Sequence, residues 1–150
     1  MKVAPALIGK AGEMLVAAEL LRRGVEVAHP ASDVGVDLLA YRLSAGNATP
    51  SSVVPVQVKS YSRTGFRFLT SWFNKAPGLV LVSVWHLLET PQCFVFGSLQ
   101  DVENALGPQH VATASWMANG IYSATTPTKE ALERMQPHLN RWDRIIDRIT

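Results

Sequence analysis

The chain has 150 residues, of which 47% are hydrophobic and 17% are charged, a balance that excludes an intrinsically disordered protein. Lys and Arg number 14 against 12 Asp and Glu, so the net charge of +2 cannot by itself attract a polyanion, and nucleic-acid binding would need local clustering. The single cysteine excludes an internal disulfide. We expect one domain over residues 1–150, in the cytoplasm, because no leader or membrane-length apolar run is visible.

The first part of the chain predicts one helix followed by three strands. Strong helix formers run from Gly9 to Arg23 and stop at Gly24, a residue suited to the turn that closes a helix. The β-branched and aromatic runs that follow are separated by turn residues. They predict strands over Val25–His29, Val36–Arg42 and Val53–Ser60, and a polar connector over residues 44–52.

The second part predicts two more strands and further helices. A turn-containing segment precedes a short helix that ends before Pro77, and apolar strands follow at 79–88 and 92–98. Ser98 and Gly107 bracket a helix, and residues 121–123 form a short strand. The C-terminal segment 126–150 is predicted to be helical with a break at Pro137. This order indicates an α/β or α+β fold with a mixed central sheet.

Two of the predicted strands carry polar residues inside apolar runs. Residues two apart in a strand share a face, so Gln57 and Lys59 point the same way and Val56 and Val58 point the other way. Antiparallel pairing with the preceding strand could bring Asp37 beside them. Burying an ammonium and a carboxylate costs free energy unless the two groups form an ion pair or serve a function.

The first helix adds one more acidic residue. At 100° per residue Glu13 lies on the same stripe as Val16 and Leu20, which faces the core, whereas Glu19 lies on the opposite side. Glu13 is therefore the carboxylate of this helix that is expected to approach the sheet.

The set Glu13, Asp37, Gln57 and Lys59 resembles the PD-(D/E)XK nuclease superfamily, and is especially similar to Mrr-like restriction endonucleases and archaeal Holliday-junction resolvases. The segments "GEMLVAAELLRRG", "DVGVDLLA" and "VQVKS" carry the likeness, over roughly the first half of the chain. The resemblance implies a restriction-endonuclease-like αβββαβ core with a mixed central sheet flanked by helices. Gln57 replaces the commonest acidic residue, as in the Mrr-like branch, and leaves one fewer negative ligand.

The resemblance also implies a site for Mg²⁺ or Mn²⁺. Asp37, the Gln57 side-chain oxygen, the Val58 carbonyl and, through water, Glu13 would supply oxygen ligands, which hard cations prefer. Lys59 would orient water or stabilise charge developing on the phosphate. Asp33 competes with Asp37 for the ligand role, and we prefer Asp37 because it lies inside the apolar strand, while Asp33 is suited to the turn.

The residues after Lys59 interleave cations with aromatic side chains. Ser60, Tyr61, Arg63, Arg67 and Lys75 are predicted to contact DNA, with the cations on phosphates. The alternative is an ordinary hairpin with a polar outer face and aromatic side chains toward the core, and the sequence favours neither.

Two functions follow from these predictions. The first is a metal-dependent DNA endonuclease that hydrolyses phosphodiester bonds, acting as a homodimer because two strands need two sites. The second is a catalytically inactive nuclease-fold subunit for DNA binding or assembly, in which the polar residues form a structural network. The chain has no Walker-type loop and no GxGxxG motif, so we expect no nucleotide cofactor, and no membrane partner is expected.

Overall fold

The computed structural model describes residues 2–50 and 52–149. Met1, Ser51 and Thr150, which belong to the predicted domain, its connector and its last helix, lie outside the described residues. Helix α1 (Pro5–Leu21) starts earlier than the predicted Gly9, because Pro5 takes the first helical positions, where a backbone N–H is not needed. Gly24 follows the helix with a φ of 74°, as the closing turn requires.

The described ranges 2–50 and 52–149 contain seven strands, most of them in segments rich in β-branched and aromatic residues. In chain order they are β1 (Glu26–Ala28), β2 (Leu38–Tyr41), β3 (Val53–Ser60), β4 (Arg67–Leu69), β5 (Val80–Trp85), β6 (Gln92–Phe96) and β7 (Ile121–Ser123). Five of them form one mixed sheet in the order β1-β2-β3-β5-β6. Strand β2 is antiparallel to β1 and β3, β5 is parallel to β3, and β6 is antiparallel to β5. The predicted mixed sheet, and the antiparallel pairing of the two strands on either side of the connector, are confirmed.

The crossover from β3 to β5 differs from the predicted one. Strand β4 arises in the segment predicted to contain only a turn, and it pairs antiparallel with β7 in a separate two-stranded sheet. The short helix predicted before Pro77 is a 3₁₀ turn over Thr70–Asn74. Residues 61–79, which are all described, contain no α-helix, whereas the predicted αβββαβ order has one between these two strands.

Four shorter helices complete the described chain. They are α2 (Leu99–Leu106), α3 (Pro108–Val111), α4 (Lys129–Met135) and α5 (Asp143–Ile146). Ser98 and Gly107 bracket α2 as predicted, although the Ser98 side chain makes no capping hydrogen bond. The break at Pro137 is a 3₁₀ turn over Gln136–His138. Helix α3 and a π-helical turn over Ser115–Asn119 were not predicted, because their sequence carries no clear periodicity.

The large sheet carries a hydrophobic core on each face. On one face α1 and α5 pack on the even-numbered side chains of β3, including Val56 and Val58. On the other face an aromatic core of β4, β5 and β6 residues packs against α2 and α4. Alternation along β3 therefore turns Gln57 and Lys59 away from α1. No helix in the described ranges is long and apolar enough to cross a bilayer.

Candidate active site

Helix α1 reaches the C-terminal end of β3 through a glycine. Gly12 is buried, and a Cβ at this position would lie 2.6 Å from the Ser60 Cβ and overlap the Ser60 hydroxyl. Only a residue without a side chain permits this approach. Glu13 follows directly in the chain and is consequently carried close to the C-terminal end of β3, where its carboxylate binds Lys10 at 3.1 Å and its side chain is 24% exposed.

Asp37 lies just before β2 and not inside the strand as predicted, because the regular pairing with β3 begins only at Leu38. The Asp37 N–H donates to the Val56 carbonyl at 2.9 Å, and the Asp37 Oδ2 accepts from the Val58 N–H at 2.7 Å. The carboxylate thus takes the place of a missing strand partner for Val58. Because backbone N–H groups point along the sheet, the carboxylate lies at the edge of β3, between the α1 face and the opposite face.

The pKa of the Asp37 carboxyl is raised above its ordinary value, chiefly because it is buried. The Val58 N–H bond lowers that pKa, the carboxylates of Glu13 and Asp33 raise it, and the Lys59 ammonium lowers it. The surroundings of Asp37 therefore disfavour its ionised form on balance. A carboxylate kept in such a place is characteristic of sites that bind cations or protons.

Gln57 brings an unpartnered oxygen to the same stretch of β3. The residue is 3% exposed and pairs in register with Leu81 of β5, and among the described residues nothing donates a hydrogen bond to its Oε1. A buried amide oxygen without a donor costs free energy, so either a ligand uses it or the fold tolerates the loss.

Lys59 lies on the same face as Gln57, with its Nζ 5.1 Å from the centre of the Trp72 ring. Within residues 2–50 and 52–149 no carboxylate lies within ion-pair distance of this ammonium. Trp72 belongs to the 3₁₀ turn Thr70–Asn74, which therefore covers the lysine. The contact is a cation–π interaction, and it leaves the charge of Lys59 unneutralised.

The turn before β2 closes the other side of the site. Gly35 has a φ of 82°, and a Cβ there would lie 2.7 Å from the Lys75 Cγ, so the stem of Lys75 packs directly on the turn. A cleft of about 250 Å³ opens between this turn and α1. Its lining includes Lys10, Glu13, His29, Asp33 and Asp37.

The structure brings Glu13 and Asp37 into one cleft beside α1. Gln57 and Lys59 point to the face of the sheet that is turned away from α1. No three His, Cys, Asp or Glu side chains in the described ranges are grouped so that they could hold a metal ion. A cation here would also need the Gln57 oxygen and the Val58 carbonyl as ligands. The N–H and C=O of one strand residue face the same neighbour, so the Val58 carbonyl faces the side of β3 on which Asp37 lies. This all-oxygen donor set suits Mg²⁺ or Mn²⁺.

The residues predicted to contact DNA lie around the same end of β3. Arg63, Arg67 and Lys75 are exposed, and none of the three is in an ion pair in the described part of the chain. Tyr61 is half-buried, and burial raises the pKa of its hydroxyl. The Ser60 hydroxyl is buried and has no hydrogen-bond partner among the described residues. The aromatic side chains Phe66 and Phe68 face the core, so the exposed surface of this segment is cationic and polar.

Three residues of the site were not identified from the sequence. Lys10 could have been found, because it lies three residues before Glu13 on the same helix face. His29 and the pairing of Trp72 with Lys59 depend on the tertiary fold and had no sequence signal. Comparison of the chain with protein-family models, with curated proteins and with solved structures finds no match.

Proposed function

We propose that this chain is a metal-dependent DNA endonuclease of the PD-(D/E)XK superfamily, with an αβββαβ core in which β4 and the 3₁₀ turn Thr70–Asn74 replace the helix between β3 and β5. The observation that carries the proposal is the position of Asp37, whose buried carboxylate is held by the Val58 N–H at the edge of β3, where the charges of Glu13 and Lys59 both act on it. The order of α1, three antiparallel strands and a further strand parallel to β3 supports the fold part of the proposal. We infer that the protein acts in the cytoplasm, because the free thiol of Cys93 fits a reducing compartment.

Each residue of the site would have a separate role in this reaction. Asp37 would hold the cation through Oδ1, the oxygen that Val58 does not use, with Gln57 Oε1 and the Val58 carbonyl as further ligands. Glu13 would hold a water of the cation's shell. When bound, Mg²⁺ or Mn²⁺ supplies positive charge at the scissile phosphate and acidifies the attacking water. Lys59 would stabilise the charge that develops on the phosphate.

DNA would approach from the side of Arg63, Arg67 and Lys75, whose free charges suit phosphate groups. Cleavage of both strands needs two copies of the site, so the active species is expected to be a homodimer.

The second candidate function is an inactive nuclease-fold subunit that binds DNA or assists assembly. The contact of Lys59 with Trp72 favours it, because a cation–π contact gives the lysine a structural reason to be there.

Nicking of supercoiled plasmid and of branched DNA in Mg²⁺ or Mn²⁺ distinguishes the two functions. The endonuclease should cleave with either cation and stop in excess EDTA, and Lys59→Ala should slow single-turnover cleavage about a hundredfold while DNA affinity changes little. Lys129→Ala, which removes an exposed lysine on α4, is the matched control and should cleave at the wild-type rate. A wild type that shows no metal-dependent cleavage would reject the catalytic proposal. Cleavage that Lys59→Ala does not slow would reject it as well.

A further inference from the structure

The outer face of α1 is apolar along its whole length. Leu7, Met14 and Leu21 are 63%, 62% and 57% exposed, and Ala11 and Ala18, which lie between them, are exposed too. The spacing i, i+4, i+7, i+11, i+14 places all five on one line of the helix, about 21 Å long. We call these five residues the outer stripe.

The opposite face of the same helix is also apolar. Its buried residues are Gly12, Val16, Ala17 and Leu20, which pack on the sheet. A helix on the surface of a globular protein normally presents polar residues to water, and one that is apolar on both faces is normally covered on both. A continuous exposed apolar surface marks an interaction site.

We propose that the outer stripe packs antiparallel on the outer stripe of a second copy of this chain, about a two-fold axis at Met14. The order of side chains along the stripe is large, small, large, small, large, and it reads the same in both directions. Antiparallel pairing about Met14 places Leu7 level with Leu21 of the partner subunit, and it sets Ala11 within one residue's rise, about 1.5 Å, of Ala18 of the partner subunit. A two-fold interface requires this self-complementarity, and the alanines let the two helices approach closely.

The charges beside the stripe permit the pairing. Reversal about Met14 sets Lys10 level with Ala18 of the partner subunit, so it meets no cation. Arg22 likewise falls level with Ala6 of the partner subunit. Glu19 is already neutralised by Arg22, at 2.9 Å, and by Arg23. A membrane surface is a poorer occupant, because interfacial helices carry a cationic face opposite the apolar one, and here that face is buried on the sheet.

The surface available for pairing is smaller than a standard dimer interface. A 17-residue helix is about 25 Å long, and one pair of such faces buries less than the roughly 1,200–2,000 Å² of a standard interface. The dimer is therefore weak and forms at micromolar concentrations. This inference does not depend on catalysis and would stand if the protein cleaved no DNA.

Cysteine cross-linking tests the contact at the two-fold axis. Packed helices lie about 8–10 Å apart with Cα radii of about 2.3 Å, which leaves the two Met14 Cα atoms about 3.4–5.4 Å apart. The upper part of this range is within disulfide reach. The native Cys93 is buried, so Met14→Cys provides the accessible thiol. Met117→Cys, at a position that is 75% exposed on the π-helical turn, is the control. Oxidation should link Met14→Cys at least about tenfold faster than the control, and equal rates would overturn the proposal.

Charge substitutions test the antiparallel direction by sedimentation over about a hundredfold range of concentration. Leu7→Lys with Leu21→Glu sets opposite charges together at both ends of the antiparallel pair and should keep the dimer. Leu7→Lys with Leu21→Lys sets like charges together and should raise the dimer Kd at least about tenfold. A wild type that stays monomeric throughout, or two variants that weaken equally, would overturn the proposal. Unchanged melting temperatures establish that both variants are folded.

Discussion

Gly12 of α1 packs directly against Ser60 of β3, and this contact brings the first helix to the candidate site. A Cβ at Gly12 would lie 2.6 Å from the Ser60 Cβ, with the Val58 Cγ1 at 3.7 Å. The helix cannot move inward without a clash with Ser60, and it cannot rotate without losing this contact. The position of Glu13 relative to Asp37 therefore depends on the absence of a side chain one residue earlier.

We predict that Gly12→Ala destabilises the protein by about 1–3 kcal/mol, the usual cost of forcing an extra methyl group into a packed core. Gly9→Ala is the matched control, since nothing lies within 4 Å of the added Cβ and the helical propensity of alanine should stabilise the protein by about 0.5–1 kcal/mol. Urea unfolding of both variants measures the difference. Ser60→Gly should recover part of the loss in Gly12→Ala, and equal effects of the two alanines would show that α1 does not press on β3.

Asp37 should lower stability when no cation is bound. The pKa of Asp37 is raised in the folded state, so the protonated carboxyl stabilises the fold. This stabilisation is fully present below the ordinary carboxyl pKa of about 4 and is lost as pH rises through the raised pKa. Asp37→Asn cannot ionise, and its Oδ1 can still accept from Val58. We predict that it melts above the wild type at neutral pH without metal. Thermal unfolding of the two proteins measures the difference, and a lower melting temperature for the variant would contradict the prediction.

The same variant tests cation binding without any assay of cleavage. Mg²⁺ or Mn²⁺ should raise the melting temperature of the wild type by mass action and leave that of Asp37→Asn unchanged. Asp33→Asn, in the same turn, is the control and should respond to the cation like the wild type. A shift that survives in Asp37→Asn would place the cation elsewhere, and a shift lost in Asp33→Asn would move the ligand role to Asp33.

Trp72 should orient Lys59. Loss of the ring in Trp72→Leu removes a cation–π contact worth about 0.5–2 kcal/mol, so single-turnover cleavage should slow by about two- to thirtyfold. Trp72→Phe keeps a weaker ring and should fall between the wild type and Trp72→Leu. Melting curves recorded beside the kinetics separate packing from orientation. If the two variants cleave at the same rate, the ring contributes apolar volume alone.

The exposed cations after β3 should set the salt dependence of DNA binding. Each phosphate contact contributes about 0.9 to the slope of log K against log salt, so alanine at Arg63, Arg67 and Lys75 together should lower that slope by about two to three. Lys129→Ala should leave the slope unchanged. Titration of a short duplex at several salt concentrations measures it. An unaltered slope in the triple variant would assign the segment to an ordinary hairpin.

His138 should make the fold sensitive to acid. It is 4% exposed, its Nδ1 lies 2.7 Å from the Arg144 guanidinium, and burial with this positive neighbour lowers its pKa to about 4. The neutral ring therefore contributes stability that is present above about pH 6.5 and lost as pH falls toward 4, on the order of 2–3 kcal/mol. His138→Gln, which keeps an acceptor for Arg144, should flatten this dependence. Unfolding at a series of pH values checks it, and equal slopes in the two proteins would contradict it.

The elements predicted best are those whose patterns are local. The apolar run of β3 and the Ser98 and Gly107 limits of α2 are set by neighbours in the chain, and the structure has them close to the predicted residues. Alternation along β3 likewise predicted that Gln57 and Lys59 share a face, because the two-residue period of a strand does not depend on distant contacts.

What only the tertiary structure decided is how the polar residues meet. The sequence could not show that Asp37 would bond to the Val58 backbone, that Trp72 would cover Lys59, or that Gly12 would bring Glu13 close, since each contact joins segments far apart in the chain. Strand β4 was missed for a similar reason, because three residues acquire strand structure here only by pairing with the distant β7. Local periodicity determined α1, α2 and the strands of the large sheet, whereas long-range packing determined β4 and the candidate site.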